Sequence, residues 1–191
     1  STDGIDQLLL GRKEKKYHIT DLGCGGGDMM VYLSNWGKRN DLKLEFSGID
    51  ANAAIIDFAK QNTSLYENIE YHNLNIFSIE FKAMTIDVVH CSLFTHHFED
   101  DELVTLLRQL LAQARIGLVI NDLHRHHISY YFTKWIIRSL SKSSMVRYDS
   151  VVSIMRSFKR NELMSILKRA GITNYSLKWK WAFRWQLVIY K

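Results

Sequence analysis

Between Tyr17 and Asp28 the chain reads Tyr-His-Ile-Thr-Asp-Leu-Gly-Cys-Gly-Gly-Gly-Asp, an apolar run leading to Asp21 and then to glycines at 23, 25 and 27. Glycine accepts positive φ and lets a ligand approach the main chain closely. Three of them between a strand and a helix make a cradle at the strand's carboxyl end. A dinucleotide fingerprint needs G-x-G-x-x-G, and counted from Gly23 its last position is occupied by Asp28. The phosphate loop G-x-x-x-x-G-K-[ST] is also absent, because no Gly-Lys-Ser/Thr follows. Asp21 and Asp28 make the loop hostile to pyrophosphate and favourable to a cationic ligand.

Such a cradle works only if strands and helices alternate around it, and the hydrophobic periodicity predicts that order. Apolar, β-rich runs at 17–22, 43–49, 69–76, 86–93 and 116–121 are separated by helical spacing at 26–38, 52–62, 99–113 and 127–141. Within 99–113, Leu103, Leu106, Leu107, Leu110 and Leu111 recur at three- and four-residue intervals and form one buried stripe, with Glu102, Arg108 and Gln109 outside it. A further helix at 160–170 ends at Gly171, and two strand-like runs, 174–181 and 184–190, read as a closing hairpin joined through Ala182-Phe183. The order predicts an α/β fold with a parallel sheet. The charge run Gly11 to Lys16 reads as a solvated lead-in to the first strand, and the Ser/Lys-rich patch at 139–144 as a loop.

Asp21 to Gly27 resembles the first motif of the class I S-adenosylmethionine-dependent methyltransferases, an acidic residue followed by x-G-x-G-x-G at the end of the first strand. Lys43 to Asp50, Ile69 to Asn75 and Ile86 to Leu93 are similar to that family's second, third and fourth strands. Phe94-Thr95-His96-His97-Phe98 resembles members that methylate quinones and other small molecules, and Asn121-Asp122 followed by Leu-His-Arg more loosely resembles a quinone- or polyketide-type group. The match spans nearly the whole chain. The resemblance implies a Rossmann-like, doubly wound, mostly parallel seven-stranded sheet with a C-terminal antiparallel hairpin. It also implies one domain over 1–191 with a substrate-cap insertion at about 122–157.

The resemblance further implies S-adenosylmethionine as cofactor and S-adenosylhomocysteine as product. Gly23, Gly25 and Gly27, with Cys24 among them, would take the methionine part. Asp50, 29 residues after Asp21 and followed by Ala51, would accept the ribose hydroxyls, and Asn75 with Ile76 would meet the adenine side. Asp21 orients the loop or meets the ammonium group, Asp28 stays near the loop or caps the following helix, and Cys91 packs beside the cofactor. Two departures stand out: Ala51-Asn52 replaces an acid-x-proline habit, and Asn75 replaces the commoner Asp. Only about 16 residues precede the first strand, where the family often carries cofactor-covering helices, so the resemblance implies an incomplete lid.

Methyl transfer is an in-line displacement at a sulfonium methyl. The protein must hold the nucleophile, exclude water and, for an oxygen or carbon nucleophile, accept a proton. Histidine suits that task near neutral pH. His96 and His97 follow the fourth strand and His124, His126 and His127 the fifth, so five of the eight histidines gather at the ligand edge. His96 is the first candidate base and His124 the second. His124-Arg125-His126-His127 is not read as a metal site, because neighbouring positions on one element do not converge on one ion as i, i+4 pairs do. Cys24 and Cys91 are expected as free thiols, with no disulfide framework.

The stretch 121–158 is aromatic and basic. Tyr130, Tyr131, Phe132, Trp135 and Ile136 are candidates to line a pocket for a flat apolar acceptor, with Arg125, Arg138 or Arg147 meeting a phenolate or carboxylate. The expected function is therefore methyl transfer to a small aromatic or lipid-like acceptor. Two alternatives stay open. A net charge of +5 with Trp179, Trp181 and Trp185 among Lys178, Lys180 and Arg184 would suit nucleic-acid methylation, and a non-catalytic domain would bind the cofactor without turnover. At 191 residues and 47% hydrophobic, the chain suits one core. It has no run of about 18 apolar residues and no secretory start, so a cytoplasmic location is expected.

Overall fold

A computed structural model describes residues 1–12, 16–125, 157–181 and 183–191. Seven strands form one sheet in the order β3-β2-β1-β4-β5-β7-β6. They are β1 (Tyr17–Leu22), β2 (Leu44–Asp50), β3 (Ile69–Asn73), β4 (Ile86–Ser92), β5 (Ala114–Leu123), β6 (Tyr175–Lys180) and β7 (Arg184–Tyr190). Strands β1 to β5 pair in parallel, and β7 runs antiparallel to both β5 and β6. The mostly parallel α/β sheet with its closing hairpin is as the periodicity predicts. Because β6 is antiparallel to β7, it points the same way as β1 to β5, and its end joins theirs at one edge.

The helices are α1 (Thr2–Leu9), α2 (Asp28–Arg39), α3 (Ala53–Asn62), the single turn α4 (Ile79–Lys82), α5 (Asp100–Gln113) and α6 (Arg160–Ala170). Ile5 and Leu8 of α1, Met30 and Leu33 of α2 and Ile56 of α3 pack with Ile19, Phe46, Val88 and Val119 on one face of the sheet. Phe81 of α4, the α5 leucines and Leu163 and Leu167 of α6 pack with Leu22, Ile49, Val89 and Leu118 on the other. Leu103, Leu106, Leu107 and Leu110 are all buried. At about 2 kcal/mol for each fully buried leucine, this stripe alone outweighs any weakness in helix propensity. Glu99 and Glu102 close a capping box at the start of α5, and Gly171 ends α6 in the left-handed conformation.

Three elements and one side chain differ from the sequence reading. Helix α1 stands ahead of the Gly11 to Lys16 lead-in, where the sequence reading places no element. Strand β3 stops at Asn73 rather than 76, because Phe77 N–H donates to Asn75 Oδ1 (2.9 Å) and turns the chain away. Strand β5 runs on through Asp122 and Leu123, which pair with Trp185 and Arg184 of β7. Trp185 is buried and its Nε1–H donates to the Phe158 carbonyl (3.0 Å), so it does not join Trp179 and Trp181 in one stacking surface. The expected helix at 127–141 and loop at 139–144 lie outside the described residues, as do His126, His127, Tyr130, Tyr131, Phe132, Trp135, Ile136, Arg138 and Arg147. Among the described residues, no helix is long and apolar enough to cross a membrane.

Candidate functional site

The carboxyl ends of β1 to β4 enclose the site. Beyond Leu22, the amides of Gly23 and Cys24 both donate to the Ile49 carbonyl of β2 (2.9 and 3.2 Å), which ties the glycine loop to the second strand. Gly23 has φ +67, and a Cβ there would stand 2.4 Å from Phe94 Cδ2. Gly27 has φ +81, and a Cβ would stand 2.0 Å from Tyr71 Oη. Conformation and space together demand glycine at both positions. Phe94 from the β4 end and Tyr71 from β3 thus clamp the loop, and Gly25, at φ +52, lies between the two clamps.

Asp50 ends β2. Its carbonyl accepts from Leu74 N–H (3.2 Å) and Asn73 Nδ2–H (3.0 Å), and its Oδ1 accepts from Asn52 N–H (2.9 Å). Asn52 in turn caps α3, its Oδ1 accepting from Ala54 N–H (3.0 Å). The carboxylate is therefore aimed by main-chain contacts on both sides. It opens on a cleft of about 410 Å³ that Gly23, Ala51, Asn75 and Ile76 also line. Phe77, Phe94 and Phe98 form the aromatic wall, Phe98 meeting Phe94 and Phe77 edge-on at centroid distances of 5.2 and 6.1 Å. Ile76 is held by its carbonyl, which accepts from Gln109 Nε2–H of α5 (2.8 Å). Leu93 carries φ +55, a strained conformation for a leucine, and it turns Phe94 back over the loop.

The two acidic residues of the loop take different places. Asp21 is buried, and its Oδ1 lies 2.6 Å from Nδ1 of buried His90 on β4. Asp28 is exposed, is the first residue of α2 and does not cap it, since Gly27 holds the cap position. Its Oδ1 accepts from Asn62 Nδ2–H (3.2 Å), which ties α2 to α3. Cys24 and Cys91 are buried free thiols. Burial pushes the Cys24 thiol up to about 12, helped by the carboxylates of Asp21 and Asp50, and burial likewise raises Cys91. Cys91 belongs to the core beneath α5 rather than to the lining of the cleft.

Of the candidate bases, His96 is buried in the short 3₁₀ turn Thr95–His97, and His97 beside it is exposed and lines the cleft. The two rings lie 4.3 Å apart. His96 is gripped by Asp122 of β5. Oδ1 accepts from His96 Nδ1–H (2.7 Å) and Leu123 N–H (2.7 Å), while Oδ2 accepts from Thr95 Oγ1–H (2.6 Å) and His96 N–H (3.1 Å). Burial raises the Asp122 carboxyl, but the His96 contacts and Thr95 outweigh it and leave it below its ordinary value of 3.8. Nδ1–H given to the carboxylate leaves the Nε2 lone pair of a neutral His96 as a proton acceptor. His124 lies further along the edge, its ring 4.8 Å from that of Trp185, and is not among the residues lining the cleft. Arg125 pairs with Glu162 of α6. Among the described residues, no group of three or more His, Cys, Asp or Glu side chains could hold a metal ion.

Sequence reasoning missed His90, Tyr71 and the placement of His97. His90 carried a signal, a histidine at an inward position of the run Ile86 to Cys91, which is apolar apart from it and Asp87, but its partner depends on β1 and β4 being neighbours.

A family model described as a methyltransferase domain matches residues 19–117, just over half of the chain. A ubiquinone biosynthesis O-methyltransferase of Coxiella burnetii is 25% identical over 122 residues, covering 62% of this chain and 49% of that protein. A carboxy-S-adenosyl-L-methionine synthase of Campylobacter lari is 24% identical over 188 residues, covering 93% of this chain and 78% of that protein. The chain spans about half the length of the first of these relatives. Among solved structures, the plantazolicin methyltransferase BpumL in complex with SAH superposes with a TM-score of 0.72 at 20% identity, over 100% of this chain and 82% of that one. A SAM-dependent methyltransferase from Aquifex aeolicus gives 0.68 at 19% identity, over 98% and 87%.

Proposed function

The chain belongs to the methyltransferase-domain family, and from that membership we propose that it transfers a methyl group from S-adenosylmethionine to a small aromatic or lipid-like acceptor, at oxygen or carbon. One observation carries the reading: Gly23 at the start of the glycine loop and Asp50 at the end of β2 line the same aromatic-walled cleft. The donor set fits the cofactor. Asp50 has a carboxylate fixed at the strand end, suited to two vicinal hydroxyls. The loop exposes main chain where a methionine part would lie, and Asn75 and Ile76 beside Phe77 suit a flat heterocycle.

When bound, the cofactor supplies an electrophilic methyl on a positively charged sulfur. The chain's own residues then have two tasks. Phe94 and Phe98 exclude water from the cleft, where any electrostatic contact strengthens as the dielectric falls. Asp122 fixes the position of His96, the first candidate to take a proton from an oxygen nucleophile, a contribution of about 10²–10⁴ in rate, and His97, whose ring lies 4.3 Å from that of His96, is the histidine that lines the cleft. Beyond β5 the chain comes back beside it at Phe158, whose N–H donates to the Leu123 carbonyl (3.2 Å). Both ends of the intervening segment therefore lie at the ligand edge. Free buried thiols suit a cytoplasmic enzyme.

Calorimetric titration with S-adenosylmethionine and S-adenosylhomocysteine tests the reading. Asp50→Ala should weaken binding by about 1.5–3 kcal/mol, since one carboxylate serves two hydroxyls. Absence of binding by the unaltered chain would overturn it.

A further inference from the structure

The tip of the β6–β7 hairpin is built against its own interest. Trp181 is 76% exposed and Trp179 48% exposed, and Phe183 packs against both at ring-centroid distances of 6.3 Å. Phe183 has φ +53, a left-handed conformation that costs a bulky side chain far more than it would cost glycine or asparagine. Both the strain and the exposed apolar cluster are unfavourable for the chain alone in water. A tip serving only to reverse the chain would carry Gly or Asn at 183. The phenylalanine keeps three aromatic rings together at the turn between the last two strands.

We propose that this tip docks on an anionic lipid bilayer. Trp179, Trp181 and Phe183 enter the headgroup region, and Arg184 and Lys178, on one face of the hairpin, meet lipid phosphates, Lys178 by exchanging its contact with Gln7 Oε1 (3.4 Å). Aromatic rings beside cationic side chains are the composition that settles at a membrane interface. Lys180 is spent on Asp3 of α1 (2.6 Å), and the net charge of +5 gives a general attraction to an anionic surface. Single-stranded nucleic acid fits less well. Trp179 and Phe183 meet edge to face at 84°, so the two rings do not form parallel platforms for successive bases.

The docking edge is the ligand edge. Arg184 pairs with both Lys180 and Leu123, so the tip projects beyond the carboxyl end of β5. It lies three to four strand spacings from β1, about 14–19 Å along the sheet. Docking therefore turns the cleft toward the bilayer. The use of that orientation, delivery of a lipid-like acceptor, rests on the proposed methyl transfer, whereas the docking itself does not.

The test is co-sedimentation with vesicles of phosphatidylcholine alone and of phosphatidylcholine mixed with phosphatidylglycerol, with and without added salt. The unaltered chain should bind the mixed vesicles, less so at high salt, and its tryptophan emission should shift to the blue. Trp179→Ala with Trp181→Ala should lower partitioning at least about tenfold. Phe183→Asn should raise the melting temperature by relieving strain, yet weaken vesicle binding, a split that a purely structural role would not produce. No vesicle binding, or binding indifferent to these variants, overturns the proposal. So would a concentration-dependent dimer in sedimentation velocity that Trp181→Ala abolishes, because a second copy would then own the tip. Titration with S-adenosylmethionine, unaffected by the tip variants, keeps failure here distinct from failure of the methyl-transfer reading.

Discussion

His90 Nδ1 lies 2.6 Å from Asp21 Oδ1, with both side chains sealed from solvent between β1 and β4. The contact is the inner end of a chain of hydrogen bonds. Gln186 Nε2–H donates to Asn121 Oδ1 (3.3 Å), Asn121 Nδ2–H to Ser1 Oγ (3.0 Å), and Ser1 Oγ lies 2.9 Å from His90 Nε2. The acid that opens the glycine loop is thus anchored to the sheet. His90→Ala should cost about 3–5 kcal/mol in urea denaturation, because it leaves a buried carboxylate without its partner. His90→Ala combined with Asp21→Asn should cost less than the sum of the single changes. Additive losses in that cycle would show that the two groups do not depend on each other.

The clamp on the loop makes a sharper claim about Gly27. Gly27→Ala would place a methyl 2.0 Å from Tyr71 Oη and 2.9 Å from Thr63 Cγ2, in a left-handed conformation. The combined clash and strain should cost about 2–5 kcal/mol. Adding Tyr71→Phe removes the hydroxyl and should return part of that loss, although Tyr71→Phe alone gives up its contact with Thr63 Oγ1 (2.9 Å). A double variant no more stable than Gly27→Ala would mean that the left-handed backbone, and not the hydroxyl, sets the requirement.

How much of this was legible depends on how local each feature is. Tyr17 to Leu22 and the leucines of α5 follow from period-two and period-3.6 patterns, and those elements stand where the patterns put them. Asp21 facing His90 is a matter of register between strands 69 residues apart, which no local pattern encodes. Helix α1 escaped notice because eight residues with no side-chain cap hydrogen bond make a marginal helix alone, stabilised by Ile5 and Leu8 against the sheet. Trp179 and Trp185 look alike in sequence and face each other in register, yet one lies on the edge strand and the other on an interior strand. Strand order, not residue type, separates the exposed ring from the buried one. The glycine loop was readable because its chemistry is carried by consecutive residues, whereas His97 and not His96 lining the cleft depends on a single 3₁₀ turn.

Cys24 stands inside the loop but should be unreactive. With its thiol pushed up to about 12, the thiolate fraction at about pH 8 is about one part in ten thousand. The native chain should therefore react slowly with an aromatic disulfide reagent at that pH, and both cysteines should react at once in denaturant. Prompt labelling of Cys24 in the native state would show that the loop opens on the timescale of the reaction.

The His96–Asp122 pair predicts a linked pattern in acid stability and in rate. The folded Asp122 carboxyl sits below its ordinary value of 3.8 because His96 and Thr95 outweigh the upward push of burial. A carboxyl lowered on folding contributes its full stability above the unfolded value and loses it as the pH falls through the folded one. The unaltered chain should therefore hold this contribution above about pH 4 and lose it below. Asp122→Asn should be less stable at neutral pH, and its denaturation midpoint should fall less steeply below about pH 4 than that of the unaltered chain. Parallel midpoint curves for the two would show that Asp122 contributes nothing to the acid transition. With a methyl acceptor in hand, the same substitution tests the catalytic side. Asp122→Asn leaves the ring of His96 in place but removes the carboxylate that fixes its tautomer, so kcat should fall by about 10²–10⁴ while the affinity for S-adenosylmethionine holds. His96→Ala should fall to the same floor, and adding Asp122→Asn to it should change the rate little further, because the carboxylate acts only through the imidazole. A double variant much slower than either single one would give Asp122 a task of its own in the cleft.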